Sequence, residues 1–365
     1  MKTTQIQNSL ARITADPATA TAAISAHISR LLAAPAPANS CALPGAVGDV
    51  IRAMASELSL PCAPIGSTGN LGITLGDPAA PLDLLITAHM DRPCFRVLTL
   101  PDATLYPLCA IRVPGDNYSC SAIALRYIND RVAISARGQL RFQETDDDYH
   151  ITFHAESGDL AWGDTVMMHC APKISDGLII GTGLDNAIGV LLALLSAHAL
   201  SKYAPDALAE RKIIFAFTDQ EEGPPIGLFG QGAARLAHAL PPPRLGFINI
   251  DGHNLDQSAG HIPGIGASHA FVSGYGRGSV VPMDYQALAE SLADMVNQAR
   301  PNTVRLNHSY VSRSDDMLLA AWSRPLALAG VIVANAHTTE ETAALADIAS
   351  AAHWIPAFIT AAFNH

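Results

Sequence analysis

The spacing of hydrophobic residues changes twice along this chain. Residues 20–34 and 46–58 have apolar side chains at the three- and four-residue intervals of amphipathic helices, and a Pro-rich segment separates them. Residues 81–88 then form a nearly continuous apolar run, which is typical of a strand buried on both faces of a sheet. The pattern therefore predicts a helical beginning that leads into a buried parallel strand.

From about Cys94 to Lys173 the apolar residues alternate in short runs separated by turn residues, and this pattern predicts a β-rich insert. After the insert, helical and strand-like periods follow one another. We predict helices over 185–200 and 283–299, a last helix ending near Asn364, and strands over 212–218, 244–250 and 326–334.

Strands that alternate with helices predict an α/β fold. We expect a mixed, mostly parallel central sheet flanked by helices. Residues 1–93 and 174–365 would form this catalytic domain, and residues 94–173 would form the separate β-rich domain inserted into it.

The composition narrows the possible partners and the location. A formal net charge of -11 without any Lys/Arg cluster argues against nucleic acid and anionic membranes, which both select basic patches. The N-terminal segment lacks the pattern of a signal peptide or membrane anchor, which predicts a cytoplasmic protein. Because 49% of residues are hydrophobic and only 15% are charged, we expect a homo-oligomer that covers part of its apolar surface.

The six cysteines are scattered and include no C-x-x-C pair. In a chain of this size, that arrangement predicts reduced and mostly buried thiols rather than a disulfide framework. Cys94 is the one thiol close in sequence to a candidate site residue, His89.

Five separate segments of the chain each end an apolar run with potential metal ligands. These residues are His89, Asp185, the pair Glu221 and Glu222, Asp251 and His337. Most of them follow predicted strands, and in open α/β sheets ligands bind at the carboxyl ends of the strands. Asp185 opens the apolar helix, where exposed N–H groups favour a carboxylate. We therefore expect these side chains to converge.

Histidine nitrogens and carboxylate oxygens without thiolates are the ligands of a hydrolytic centre with two divalent metal ions. Asp185 is the predicted bridge between the two ions. His89 with Asp251 would complete one ion, and Glu222 with His337 the other. Zinc is the expected metal, with cobalt or manganese as alternatives.

Two further acidic residues have predicted catalytic roles. Adjacent residues of an extended backbone face opposite ways, so if Glu222 binds metal then Glu221 is free to act as the general base on metal-bound water. Asp91, two residues beyond His89, would accept the second N–H of that histidine. His253 is a rival ligand close to Asp251, and His308 is an alternative to His337.

Several competing site types are excluded or disfavoured by the sequence. Neither H-E-x-x-H nor G-x-S-x-G occurs, which removes thermolysin-like and serine-hydrolase mechanisms. The segment GYGRGS lacks the strand, turn and helix order of a phosphate-binding loop.

The chain resembles the TET-type metallo-aminopeptidases, which include glutamyl and deblocking aminopeptidases. Over nearly its whole length it has their motifs in order: AHMD, a β insert ending near WGDTVMMH, GLDNAIGV, DQEEG, NID, GYGRG, SDD and AHTTEE. The resemblance implies a di-zinc exopeptidase fold with an inserted small β-barrel that serves as a dimerisation or lid domain. It also implies an assembly built from dimers, with a hollow tetrahedral dodecamer as one possibility.

The resemblance supports the same assignment of ligands and of Glu221, and it puts Asp315 near the substrate pocket. Three segments depart from the family pattern: Arg92 with Pro93 after HMD, Asn186 with Ala187 after Asp185, and the extra Pro224 with Pro225 in the glutamate loop. These changes affect substrate preference rather than the ligand set.

The sequence therefore predicts a metal-dependent exopeptidase that hydrolyses N-terminal peptide bonds through a hydroxide bound to two metal ions, with a peptide or small amide as substrate. One alternative is a deacylase or amidohydrolase of N-acylated or carboxylate-bearing small molecules, because Arg92 beside the site could pair with an anionic substrate. The other is a degenerate member that serves as a binding or scaffold protein.

Overall fold

The structure is a computed structural model and describes residues 12–365 apart from residues 14, 116, 147–148, 224–229 and 277. The departure at Pro224 and Pro225 therefore lies outside the described residues. The helices are α1 (Thr21–Ala33), α2 (Val47–Glu57), α3 (Leu184–Tyr203), α4 (Pro205–Leu208), α5 (Gln231–Ala239), α6 (Met283–Ala299), α7 (Asp316–Leu319) and α8 (Leu345–Ala362), with 3-10 turns at Pro17–Thr19 and Gly274–Gly276.

The strands are β1 (Cys62–Pro64), β2 (Leu71–Gly76), β3 (Leu82–His89), β4 (Cys94–Val97), β5 (Leu105–Pro107), β6 (Asn117–Ile128), β7 (Arg131–Glu144), β8 (Tyr149–Gly158), β9 (Thr165–Met168), β10 (Lys173–Ser175), β11 (Leu178–Gly181), β12 (Lys212–Thr218), β13 (Gly246–Asn254), β14 (Ala267–Ala270), β15 (Val304–Asn307), β16 (Pro325–Val333) and β17 (Glu341–Ala344).

The central sheet has eight strands in the order β1-β2-β12-β3-β13-β16-β14-β15. The pairs β12–β3, β3–β13, β13–β16 and β14–β15 are parallel, whereas β1–β2, β2–β12 and β16–β14 are antiparallel. The predicted mixed, mostly parallel sheet is therefore confirmed. Its middle strands β3 and β16 are buried along their whole length, as their unbroken apolar sequences require.

Helices α3 and α8 are apolar on all sides because both lie inside the fold. Helix α3 packs against β3, β13 and α8, and α8 also contacts β16. Both helices are long and apolar enough to cross a membrane by length and composition alone, but 83% and 94% of their most apolar windows are buried in the protein. That burial is what the core helices of a layered α/β protein show.

A second sheet is formed entirely by the predicted insert. Its six antiparallel strands have the order β5-β4-β9-β6-β7-β8, and an isolated bridge between Thr104 and Thr152 links the region of β5 to β8. Its core is separate from the main one and contains Phe95, Phe142 and Phe153. The β-rich character of the insert follows from its alternating sequence, while the division of the chain into domains stays a prediction.

A third, three-stranded sheet pairs β11 with β10 on one side and with β17 on the other. The sequence reasoning missed β14, β15 and β17, which have only four residues each and are paired by distant parts of the chain. All six cysteines are free, and Cys94 is fully buried, in agreement with the expectation of reduced core thiols.

Candidate metal centre

The predicted ligand residues meet at one edge of the central sheet. His89 is the last residue of β3, Glu222 lies in the loop after β12, and His337 lies in the loop after β16. Asp251 lies inside β13 rather than after it, opposite Gly330 of β16. A Cβ on Gly330 would come within 1.7 Å of the Asp251 carbonyl oxygen, so glycine is required for this close pairing of the strands.

Asp185 occupies the middle of this group of side chains. One of its oxygens, Oδ1, lies 3.1 Å from His89 Nε2, and the other, Oδ2, lies 3.8 Å from His337 Nε2. On the first side, His89 Nε2 is also 3.6 Å from Asp251 Oδ1. On the second side, His337 Nε2 is 3.1 Å from Glu222 Oε1. The structure therefore brings together two sets of potential ligand atoms that share Asp185, namely His89–Asp185–Asp251 and Asp185–Glu222–His337.

The beginning of α3 holds Asp185 in this position. Its backbone is extended rather than helical there, with φ -80° and ψ 101°. The next residue, Asn186, is buried, and its side-chain amide donates to the Ile250 carbonyl and accepts from the Gly189 N–H. The departure from the family pattern at Asn186 thus leaves a side chain that ties α3 to β13.

The charges at this site fit divalent cations. Four carboxylates, those of Asp185, Glu221, Glu222 and Asp251, line one pocket with only two histidines among them. Burial and the charge of Asp185 raise the pKa of Asp251 to about 6, and burial together with the Glu222 and Asp251 charges raises the pKa of Glu221 well above its usual range. Such crowding of buried carboxylates is relieved by bound cations.

The pKa values of the two histidines are raised as well, because the surrounding carboxylates favour the charged imidazolium form. Burial alone would lower the pKa of His337, but the Glu222 carboxylate beside it raises that pKa to about 9. Burial likewise opposes a charged His89, and the carboxylates of Glu221 and Asp251 raise its pKa well above the ordinary value. Glu222 Oε1 is buried and has no hydrogen-bond donor in suitable geometry. A group of imidazole nitrogens and carboxylate oxygens that includes such an unpaired buried oxygen is a suitable ligand set for zinc-like ions.

The carboxylate of Asp91 does not orient His89 in the way that was predicted. The Nδ1 atom of His89 makes its hydrogen bond, of 3.2 Å, with the backbone oxygen of Asp91, and the carboxylate lies 3.7 Å away. That carboxylate instead accepts the backbone N–H groups of Glu221 and Glu222 at 3.0 and 3.1 Å. Asp91 therefore fixes the glutamate loop, a role that a spacing of two residues from His89 cannot reveal.

Glu341 is a further residue of the candidate site, and it was not predicted from the sequence. It is buried, and its carboxylate accepts the Asp185 N–H at 3.1 Å and the His337 N–H at 2.8 Å. Burial and the nearby Asp185 charge raise its pKa to about 8. Glu341 thus joins two candidate ligands that are distant in the sequence, as Asp91 joins the adjacent Glu221 and Glu222. Its place four residues after His337 in AHTTEE was the only available signal.

The prediction that Arg92 pairs with a substrate is wrong. Its guanidinium is buried and donates to the backbone oxygens of Leu31, Leu32 and Ala34 at the end of α1, at 2.6 to 3.3 Å. Gly183 packs against it so closely that a Cβ would lie 2.1 Å from Arg92 Nε. Arg92 satisfies carbonyl groups at a helix end, and it does not line the pocket.

Asp315 is also placed differently from its predicted position at the substrate pocket. It is fully buried, does not line the pocket, and accepts a short hydrogen bond from the Thr218 hydroxyl. Burial raises its pKa to about 7. Asp315 therefore lies behind the site, where it holds the end of β12.

Neither rival histidine belongs to the group of candidate ligands. His253 is buried with Nδ1 on Ser268 Oγ at 2.7 Å, and its ring stacks on Tyr310. His308 packs against Phe271. The preference for Asp251 and His337 over these two residues is consistent with the geometry.

The pocket in front of the candidate ligands has a volume of about 490 Å³. Glu221 lines it, is 7% exposed, and has Oε2 3.9 Å from His89 Nε2. Two arginines that the sequence reasoning did not select, Arg112 and Arg313, also line the pocket. Arg112 lies in the insert and does not follow a strand of the central sheet, where the candidate ligands were expected.

The arrangement is a candidate site for metal ions. A model of peptidase family M20/M25/M40 matches residues 156–361, more than half of the chain. The chain therefore belongs to this peptidase family. Among curated proteins no match to the chain was found.

Solved structures similar to this chain include three archaeal proteins. The TET1 peptidase of Pyrococcus horikoshii superposes with a TM-score of 0.69 and 18% identity over 92% of this chain and 98% of that chain. An aminopeptidase of Desulfurococcus kamchatkensis superposes with a TM-score of 0.68 and 16% identity, over 93% of this chain and 95% of that chain. A TET aminopeptidase of a marine sediment Thaumarchaeota archaeon superposes with a TM-score of 0.68 and 14% identity, over 92% of this chain and 96% of that chain. The predicted kinship with TET peptidases is thus confirmed at the level of the fold.

Proposed function

We propose that this chain is a metal-dependent exopeptidase that removes N-terminal residues from peptides. The observation that carries the proposal is the sharing of Asp185 between two sets of ligand atoms, beside the buried carboxylate of Glu221. Membership of a peptidase family and the likeness to aminopeptidase folds support the same reaction class.

In this proposal His89, Asp185 and Asp251 would hold one cation, and Asp185, Glu222 and His337 would hold the other. When bound, the two ions would polarise the scissile carbonyl and lower the pKa of a water molecule. Zinc is the proposed metal because the donors are imidazoles and carboxylates, which cobalt and manganese also accept.

Glu221 is the proposed general base. Its carboxylate lines the pocket but belongs to the same buried loop as Glu222, so it can take a proton from the attacking water and return it to the leaving amine. Asp91 holds the backbone of both glutamates, which keeps the base and the ligand at fixed positions.

A substrate panel tests this function directly. Protein stripped with EDTA and reloaded in turn with zinc, cobalt and manganese should release p-nitroaniline from Leu-, Glu- or Lys-p-nitroanilide and should be inactive before reloading. The same p-nitroanilides with an N-terminal acetyl group are the matched controls, and an aminopeptidase leaves them intact. Turnover of N-acetyl amino acids instead would identify a deacylase. No turnover together with no bound metal would identify a scaffold protein.

We also propose that residues 94–173 form a small β-barrel domain through which chains associate in the cytoplasm. The bridge between Thr104 and Thr152 supports closure of the sheet, and Trp162 of the insert is 76% exposed. One related TET1 structure is described as a dodecamer, and TET1 as able to form a tetrahedron or a large octahedral shell. Native mass spectrometry should give a dimer-based oligomer, and a monomer at micromolar concentration would contradict it.

A further inference from the structure

Two positive side chains in the pocket are not used by the proposed reaction. Arg112 follows β5 in the second sheet, and Arg313 lies between β15 and α7, so different parts of the fold bring them to the pocket. Among the described residues that line it, all other ionisable side chains are the candidate ligands and Glu221. The pocket therefore contains one acidic centre and one separate pair of cationic groups.

Arg112 is available to a ligand. Its side chain is exposed, and within the described part of the chain it has no salt-bridge partner. It lines the same pocket as the candidate ligands His337 and Asp185. If bound cations balanced the charge of the four carboxylates, an anion in this pocket would be attracted by the Arg112 guanidinium. A guanidinium binds carboxylates particularly well because its N–H groups match both oxygens.

Resting on the proposed function, we infer that the substrate carries a carboxylate close to the scissile bond, and that Arg112 is the specificity-determining residue that binds it. Arg313 lines the same pocket and would add to the positive field. Two sources share this chemistry: the side chain of an acidic N-terminal residue and the terminal carboxylate of a dipeptide. Each places its negative charge within one residue of the bond that is cleaved.

Two isosteric substrate pairs distinguish these sources. Glu-Ala amide against Gln-Ala amide tests the side chain, and Leu-Ala against Leu-Ala amide tests the terminal carboxylate. The zinc-loaded protein should prefer the charged member of one pair by about tenfold or more in kcat/KM, as expected for a charge-assisted hydrogen bond. The preference should be expressed in KM, and it should weaken at high ionic strength because Arg112 is exposed.

Substitution then assigns the preference to a residue. Arg112→Gln should bring the ratio close to one for the preferred pair. Arg141→Gln is the matched control, because Arg141 is an exposed arginine of the same sheet that lines a different groove, and it should keep the ratio of the parent protein. A preference that survives Arg112→Gln, or the absence of a preference in both pairs, would overturn the inference.

A binding measurement separates this inference from the proposed function. Calorimetry on zinc-loaded Glu221→Gln protein gives the Kd of both members of each pair without turnover. Tighter binding of a charged member that is lost in the double variant with Arg112→Gln supports the inference even if no peptide is hydrolysed. Hydrolysis of both amides with equal Kd values for charged and neutral members would contradict the inference and leave the peptidase assignment intact.

Discussion

The pocket has a buried floor and an exposed wall, and the two are built differently. We use floor for the strand-end segments 89–92, 219–222 and 250–251, which contain candidate ligands and the residues directly behind them, and wall for segments 110–112 and 311–313. In the floor, nearly every side chain is buried, and the side chains of Asp91 and Arg92 are hydrogen-bonded to backbone groups. In the wall, Arg112 is exposed. The floor thus holds the candidate ligands and the proposed base in place, while side chains of the wall can determine which substrates bind.

Two arginines show what this difference teaches. Arg92, in the floor, is surrounded by protein, and burial lowers its pKa to about 10. Its guanidinium donates to the backbone carbonyls of Leu31, Leu32 and Ala34. Arg112, in the wall, has the same guanidinium facing a cavity. Residue type alone does not tell whether a cation is structural or binds a substrate; its surroundings do.

The largest expected effect concerns two adjacent floor glutamates. Glu221→Gln should lower kcat by about 10²–10⁴-fold, as loss of a general base does, and should keep two metal ions per chain by elemental analysis. Glu222→Gln is the matched variant and should lose bound metal. If Glu221→Gln also lost metal, Glu221 would take part in metal binding, and its assignment as the general base would be wrong.

The next effect compares the two arginines by stability. Arg92→Met leaves three buried carbonyls at the end of α1 without a donor and should lower the free energy of unfolding by about 2–4 kcal/mol. Arg112→Met should change it by less than about 0.5 kcal/mol, as exposed substitutions do. Chemical denaturation of both variants measures this. Equal losses would mean that floor and wall are not distinct.

A smaller effect is expected at Glu341. Glu341→Gln keeps one acceptor oxygen where two backbone N–H groups need one each, so Asp185 and His337 are held less firmly. Metal affinity should fall by about 10–100-fold, as it does when partners behind ligands are changed. Competition with a chromogenic chelator measures the affinity. Glu340→Gln, at the exposed neighbour, should leave it unchanged.

The smallest effect concerns the contact between the second sheet and the loop of His337. Tyr118 Oη lies 2.9 Å from Thr339 Oγ1 and accepts the Thr339 N–H at 3.3 Å. Tyr118→Phe should cost about 1 kcal/mol in stability, the net value of a hydrogen bond. Thermal unfolding at fixed metal concentration checks it. A loss above about 3 kcal/mol would mean that this contact belongs to the floor.

The central sheet and the five candidate ligands could be predicted because both depend on the pattern of residues within short segments of the sequence. Mostly apolar runs such as 82–89 and 325–333 are expected to form buried strands. A polar residue at the carboxyl end of such a strand then lies at the edge of the sheet. His89 and Glu222 could be selected on that ground alone. The short strand 267–270 could not, since its pairing depends on partners elsewhere in the chain.

The residues around the ligands were less predictable. Asp91 was assigned to the histidine two positions away, but its carboxylate binds N–H groups 130 and 131 positions further along the chain. Glu341 reaches back 156 positions to Asp185. Contacts of this range follow from how loops close on each other, and no periodicity in the sequence encodes them.

One hydrogen bond ties the second sheet to the chemistry itself. His337 Nδ1 lies 3.0 Å from the Ala110 carbonyl oxygen. A carbonyl can only accept, so in the neutral ring Nδ1 carries the proton, and Nε2, which lies near Glu222 and Asp185, keeps the lone pair that would bind a cation. The segment before Arg112 thus selects the tautomer of a candidate ligand. A lid built from this segment would break that hydrogen bond on opening, so its movement would be coupled to the orientation of the imidazole.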